Sequence, residues 1–98
     1  MAVALTPEHV EQALAALSGW QHEDGAIHKT YHFATYLAGV AFVSAVGVVC
    51  EGLNHHPDIT IGYKRVRVAF TTHDAGSRVT EHDLTAARAV EALGYPKA

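Results

Sequence analysis

From Leu37 to Cys50 the chain carries no charged residue. No other stretch constrains the fold as strongly. The run is shorter than the roughly 20 residues that span a bilayer, so no membrane role is expected. An ordinary surface helix keeps a polar face, and this segment has almost none. Gly39, Ser44 and Gly47 add small residues where a second backbone can approach. One side of such a helix must cover a sheet. In a chain of 98 residues little else remains to enclose the other side. We therefore expect a long helix over residues 35–53, started by Thr35, that packs on a sheet and on another copy of the chain. A second subunit on that side follows; a helix wholly buried in a monomer is the competing reading.

The segments around it alternate in type. Thr6-Pro7-Glu8 reads as a helix start, with a hydroxyl cap, a proline at the first position and an acid in the first turn. Val10, Ala13, Leu14 and Leu17 recur at helical spacing, and Ser18-Gly19 ends them. A short strand from Trp20 turns at Glu23-Asp24-Gly25 into a second strand. There Ile27, Tyr31 and Phe33 share one side with Lys29, and His28, Thr30 and His32 share the other. Beyond the long helix, Ile59–Ile61 reads as a short strand. Tyr63 to Thr72 reads as the clearest strand, with Val66, Val68 and Phe70 facing inward. Thr80 and Asp83 have capping-box spacing, and Ala86, Val90 and Leu93 line a last helix stopped by Gly94 and Pro96. The order α-β-β-α-β-β-α predicts an α+β two-layer sandwich: a four-stranded antiparallel sheet with three helices on one face. One domain, residues 1–98, is expected.

Bulk charge gives no case for nucleic acid, since the formal net charge is −3 with both signs mixed. The single cysteine, Cys50, excludes an internal disulfide and reads as a buried thiol. The opening Met1-Ala-Val-Ala-Leu5 has no basic residue, so no secretory signal is expected and the location is read as cytoplasmic.

The chemistry lies in the eight histidines. His9, His22, His28 and His82 read as solvated surface. His55-His56-Pro57 follows the uncharged run, and His73 follows the clearest strand. Proline forces His56 into extended backbone, so His55 and His56 point to opposite sides and do different jobs. Imidazoles that titrate near pH 6.5 can donate and accept a proton in one turnover. Such a set could eliminate water from a small ligand without a metal or organic cofactor. A metal site from His55, His56, His73 and Asp58 is the rival chemistry, but both the HExxH and the finger spacings are missing. No serine stands in a nucleophile-elbow pattern. In the structural alternative, His55-His56-Pro57 is a helix stop whose imidazoles cap the last carbonyls.

These residues carry a resemblance. Glu51 with His55-His56-Pro57-Asp58, Tyr63 with Val66, Thr72-His73-Asp74-Ala75-Gly76, and Thr80 with Asp83 resemble the motifs of the pterin-4a-carbinolamine dehydratases. Gly19-Trp20 and the spacing of Phe33, Tyr36 and Phe42 do so as well, so the likeness covers nearly the whole chain. It departs at Ser77-Arg78-Val79, one residue longer than the family's usual loop, and at Tyr36 and Gly39, where Phe and Ala are common.

The resemblance implies dehydration of 4a-hydroxytetrahydropterin to quinonoid dihydropterin, the hydro-lyase step of tetrahydrobiopterin recycling, with no cofactor. By the match, His55 and His73 form the acid–base pair and His56 orients the pterin. Asn54, Thr71, Thr72 and Asp74 line the pocket and bond the pterin's polar edge, beside Pro57 and Asp58. It also implies a dimer or tetramer bundled through the long helix. Animal relatives bind a transcription factor, so a protein-binding module with little or no dehydratase activity is the alternative.

Overall fold

Val66, Val68 and Phe70 are fully buried, while Arg65 and Arg67, which alternate with them, are exposed. That period of two makes the segment a strand with one wet face. In the computed structural model, which describes residues 2–95, it is the last of four strands. They are β1 (Gln21–Glu23), β2 (Ala26–His32), β3 (Asp58–Ile61) and β4 (Arg65–Phe70). The spatial order is β1-β2-β4-β3 and every pairing is antiparallel. Helices α1 (Pro7–Leu14), α2 (Tyr36–Leu53) and α3 (Glu81–Glu91) complete the expected α-β-β-α-β-β-α order. Met1 and the expected helix stop Pro96 lie outside the described residues.

Each helix begins as its sequence dictates. Thr6 Oγ1 accepts the His9 amide, Thr35 Oγ1 accepts the Ala38 amide, and Thr80 and Asp83 form a reciprocal capping box. Phe42, Val46 and Cys50 on α2 are fully buried against the sheet. A Cβ added to Gly39 would stand 3.4 Å from Val66 Cγ2, an ordinary van der Waals contact, so an alanine there fits between helix and strand. On the opposite side Leu37 and Val48 are 72% and 75% exposed. By length and composition α2 could cross a membrane. Its inner face is committed to the sheet, and the stripe of Leu37 and Val48 is bare.

The fourth strand is shorter than its sequence implies. Gly62 N–H bonds the Arg65 carbonyl at 2.8 Å, so Gly62 to Lys64 make the turn and Tyr63 stands 70% exposed in it. Two of the four histidines read as surface are half-buried: His22 and His28 lie on β1 and β2 with side chains 19% and 14% exposed. A neighbouring carboxylate lies near each, Glu11 and Glu23.

A polar latch ties α3 to the first hairpin. Glu91 Oε1 accepts from Trp20 Nε1 at 2.8 Å, Tyr31 Oη at 2.9 Å and Lys29 Nζ. Burial alone would raise the Glu91 carboxyl, but bonds from Lys29, Trp20 and Tyr31 and the Lys29 charge outweigh it and hold it below the ordinary value. Burial and the same carboxylate push the Tyr31 phenol up. A carboxyl depressed in the folded state stabilises the fold above its unfolded value of about 4.3. That contribution is lost as pH falls through the lower folded value. Melting temperature followed from neutral pH into acid should therefore fall less steeply in Glu91→Gln than in wild type. Parallel curves would remove the latch from the acid response.

Candidate active site

β3 and β4 bring two distant segments to one end of the sheet. They pair with Asp58 opposite Ala69. The residues before β3, which are His55 to Pro57, must then lie beside the residues after β4, which are Thr71 to His73. The helix preceding β3 ends at Asn54, held in the left-handed region at φ 53°. Asparagine tolerates that conformation better than most residues. The Asn54 and His55 amides reach back to the Glu51 and Cys50 carbonyls, both at 3.1 Å. Backbone, not imidazole, therefore caps α2, and both rings are available for other partners.

Those partners lie apart, as the extended backbone requires. His55 Nε2 is 2.6 Å from Asp83 Oδ1, and His56 Nε2 is 2.7 Å from Glu51 Oε1. The His55 ring also stacks on Phe70 and stands 5.9 Å from the His82 ring. His73 opens a 3-10 turn, His73–Ala75, and its Nδ1 is 3.4 Å from Ser77 Oγ. One open cleft of about 380 Å³ is lined by Asn54, His55, His56, Pro57, Asp58, Thr71, Thr72, His73 and Asp74. The residues singled out from sequence thus meet at a single hollow.

Sequence reading missed one participant. Asp83 was legible only as a helix cap, yet its carboxylate is fully buried and has a second task. Oδ2 accepts the Thr80 amide and the Thr72 hydroxyl, each at 2.8 Å, which leaves Oδ1 for His55. A carboxylate surrounded by donors takes a proton-bearing nitrogen as its third partner, so Nε2 of His55 is assigned the hydrogen, which leaves the lone pair of the neutral ring on Nδ1. The available signal was the acid itself, because a capping box usually takes Glu or Gln at that place.

The two threonines line the cleft with their hydroxyls engaged inside the protein. The Thr72 hydroxyl donates to Asp83, and the Thr71 hydroxyl donates to the Gly25 carbonyl at 2.7 Å. Both protons are used within the protein, which leaves the hydroxyl oxygens as acceptors. The longer loop is accommodated locally. Ser77 adopts a left-handed φ of 57°, and its carbonyl fills the place a Cβ on Gly25 would need, at 2.3 Å. Thr72 N–H still bonds the Arg78 carbonyl at 3.0 Å, closing the loop behind His73.

Among the described residues no three His, Cys, Asp or Glu side chains are placed to hold a metal ion. Cys50 is fully buried, and burial pushes its thiol up, away from the reactive thiolate.

The family model for pterin 4 alpha carbinolamine dehydratase matches residues 3–93. The chain belongs to this family. A relative from Streptomyces coelicolor, provisionally named a pterin-4-alpha-carbinolamine dehydratase, is 44% identical over 91% of this chain and 88% of its own length. One from Opitutus terrae with the same provisional name is 38% identical over 97% of this chain and 98% of its own. A crystal structure of a transcriptional coactivator/pterin dehydratase from Brucella melitensis matches with TM-score 0.84 at 35% identity, over 92% of this chain and 97% of that one. A pterin dehydratase-like protein described as a RuBisCO assembly factor in the alpha-carboxysome matches at 25% identity and TM-score 0.62, over 78% and 87%. The family match and the solved structure from Brucella melitensis agree on the fold of this chain.

Proposed function

We propose that the chain dehydrates 4a-hydroxytetrahydropterin to quinonoid dihydropterin in cytoplasmic pterin recycling, by histidine acid–base catalysis without metal or cofactor. The observation that carries this reading is His55 backed by the buried Asp83 in a cleft shared with His56 and His73. Loss of water from the substrate breaks the C4a–O bond and the N5–H bond and forms C4a=N5. His55 accepts the N5 proton on Nδ1. The Asp83 carboxylate steadies the imidazolium that results, as a buried acid behind a catalytic histidine does elsewhere. His73, protonated, gives its proton to the departing hydroxyl, which leaves as water. Solvent returns the proton from His55 to His73, so atoms and charge balance. His56, tied to Glu51, orients the ring, with Asn54 and Asp74 beside its polar edge.

The test is direct. Purified chain dialysed against EDTA should speed the decay of 4a-hydroxytetrahydropterin about 10²-fold or more over buffer, within the range of acid–base help. A rate equal to buffer would end the dehydratase reading.

The exposed stripe on α2 and the likeness to an assembly factor favour a second reading, a protein-binding module of the same fold. Intact assembly with no pterin bound would support it over the first.

We also place a homodimer or homotetramer interface on α2. Leu37, Ala41, Ser44 and Val48 follow one another at helical spacing along its outer side, and all are exposed. Light scattering at micromolar concentration should give a multiple of 10.5 kDa, and Val48→Glu should lower it. A wild-type monomer would refute the interface.

A further inference from the structure

The proposed chemistry uses one nitrogen of His73 and leaves the other without a task. Nδ1 of that ring is 3.4 Å from the Ser77 hydroxyl, its one hydrogen-bond contact among the described residues. Resting on the dehydratase reading, we infer that Ser77 is a positioning residue. Its oxygen accepts the Nδ1 hydrogen of the His73 imidazolium, so the proton given to the departing hydroxyl is the one on Nε2.

The chemistry of the ring carries the first half. An imidazolium bears a hydrogen on each nitrogen, and both can donate. An acceptor at Nδ1 holds that hydrogen and leaves Nε2 as the donor toward the cleft that His73 lines. Once Nε2 has given its proton to the leaving hydroxyl, the ring is the neutral Nδ1–H tautomer. Nε2 is then the nitrogen that solvent protonates again. A serine hydroxyl suits this task, because its oxygen accepts while its own hydrogen turns to solvent.

The frame around Ser77 carries the second half. Gly76 and Ser77 follow one another in left-handed backbone, at φ 75° and 57°. Glycine adopts that conformation at less cost than serine does, so the side chain at residue 77 is kept against the backbone's preference. The Ser77 carbonyl occupies the place a Cβ on Gly25 would need, 2.3 Å away. The Thr71 hydroxyl holds the Gly25 carbonyl at 2.7 Å. The Thr72 amide bonds the Arg78 carbonyl, and the Gly76 amide bonds the His73 carbonyl, both at 3.0 Å. The exposed hydroxyl is thus carried on a backbone fixed from both sides. Ser77 also stands where the chain departs from the family's usual loop, so the contact belongs to this chain's own sequence. The bond is long and exposed, which keeps its expected effect to a few-fold.

The experiment is a kinetic double-mutant cycle on 4a-hydroxytetrahydropterin. It uses Ser77→Ala, Ser77→Gly, His73→Ala and Ser77→Ala combined with His73→Ala. Each Ser77 variant should lower kcat about three- to tenfold at unchanged KM, since the contact matters only as the proton leaves. Ser77→Gly should nevertheless melt above Ser77→Ala, because glycine relieves the left-handed backbone. With His73 already replaced, Ser77→Ala should change nothing further, because a positioning residue acts only through its partner. Nitrogen-15 spectra at alkaline pH should place the hydrogen of the neutral His73 ring on Nδ1 in wild type, with a larger share on Nε2 in Ser77→Ala. Wild-type kcat in Ser77→Gly overturns the role. So does a further loss in the double variant, or the same tautomer distribution with and without the hydroxyl. Turnover at the buffer rate by wild type ends the dehydratase reading and this role with it, whereas an active wild type with silent Ser77 variants ends the role alone.

Discussion

Replacing His55 by alanine is expected to lower kcat/KM for 4a-hydroxytetrahydropterin by about 10²–10⁴, the span that one general acid or base contributes. The loss should appear in kcat, because the proton is transferred only on the way to the transition state. His73→Ala should cost at least about tenfold by the same reasoning, with less effect on the fold. His73 stands on an exposed turn and has one long contact to Ser77. His55 is different, since its removal leaves a buried Asp83 oxygen without its partner. A destabilisation of about 1–3 kcal/mol should accompany the kinetic defect. Rates must therefore be measured well below the melting temperature of the variant. A folded His55→Ala protein with wild-type kcat would remove this ring from the chemistry.

Asp83→Asn should separate positioning from folding. The amide oxygen can take over at the Oδ2 side, accepting from the Thr80 amide and the Thr72 hydroxyl as the carboxylate does. Its NH₂ group then faces His55 Nε2, which must become an acceptor and surrender its hydrogen to Nδ1. The helix cap survives while the ring presents the wrong tautomer to substrate. We expect kcat to fall by about 10²-fold or more with a modest change in melting temperature, since an analogous exchange in a serine protease triad costs about 10⁴. Asp83→Ala is the contrasting variant. It strips the partners from Thr72, Thr80 and His55 together, and should cost several kcal/mol as well as activity. Equal kinetics for wild type and Asp83→Asn would reduce Asp83 to a helix cap.

Much of this was legible in the sequence for identifiable reasons. The alternation of Val66, Val68 and Phe70 with Arg65 and Arg67 fixed which side of β4 is buried, because a strand has only two sides. Thr6, Thr35 and Thr80 marked all three helix starts, since capping is a local interaction. Proline after His55-His56 predicted that the two rings diverge, and they do, to Asp83 and Glu51. What stayed hidden depended on contacts remote in sequence. The bond from His55 to Asp83 joins residues 28 positions apart, and its one local sign is an Asp where a capping box usually takes Glu or Gln. The inward use of the Thr71 hydroxyl depends on the hairpin at Gly25, 46 positions away. The partial burial of His22 and His28 reflects neighbours across β1 and β2, which local polarity does not report. The early end of β4's pairing at Arg65 depends on a turn bond between Gly62 and Arg65, a geometry that the apolar pattern does not encode.

The proposed chemistry requires one ligand to be held among three rings. A crystal structure of the chain soaked with a stable dihydropterin measures this most directly. We predict the fused ring in the cleft between Asn54–Asp58 and Thr71–Asp74, with N5 within hydrogen-bond reach of His55 Nδ1 and C4a on the side of His73. A pterin bound elsewhere on the molecule, with that cleft filled by solvent, would contradict it.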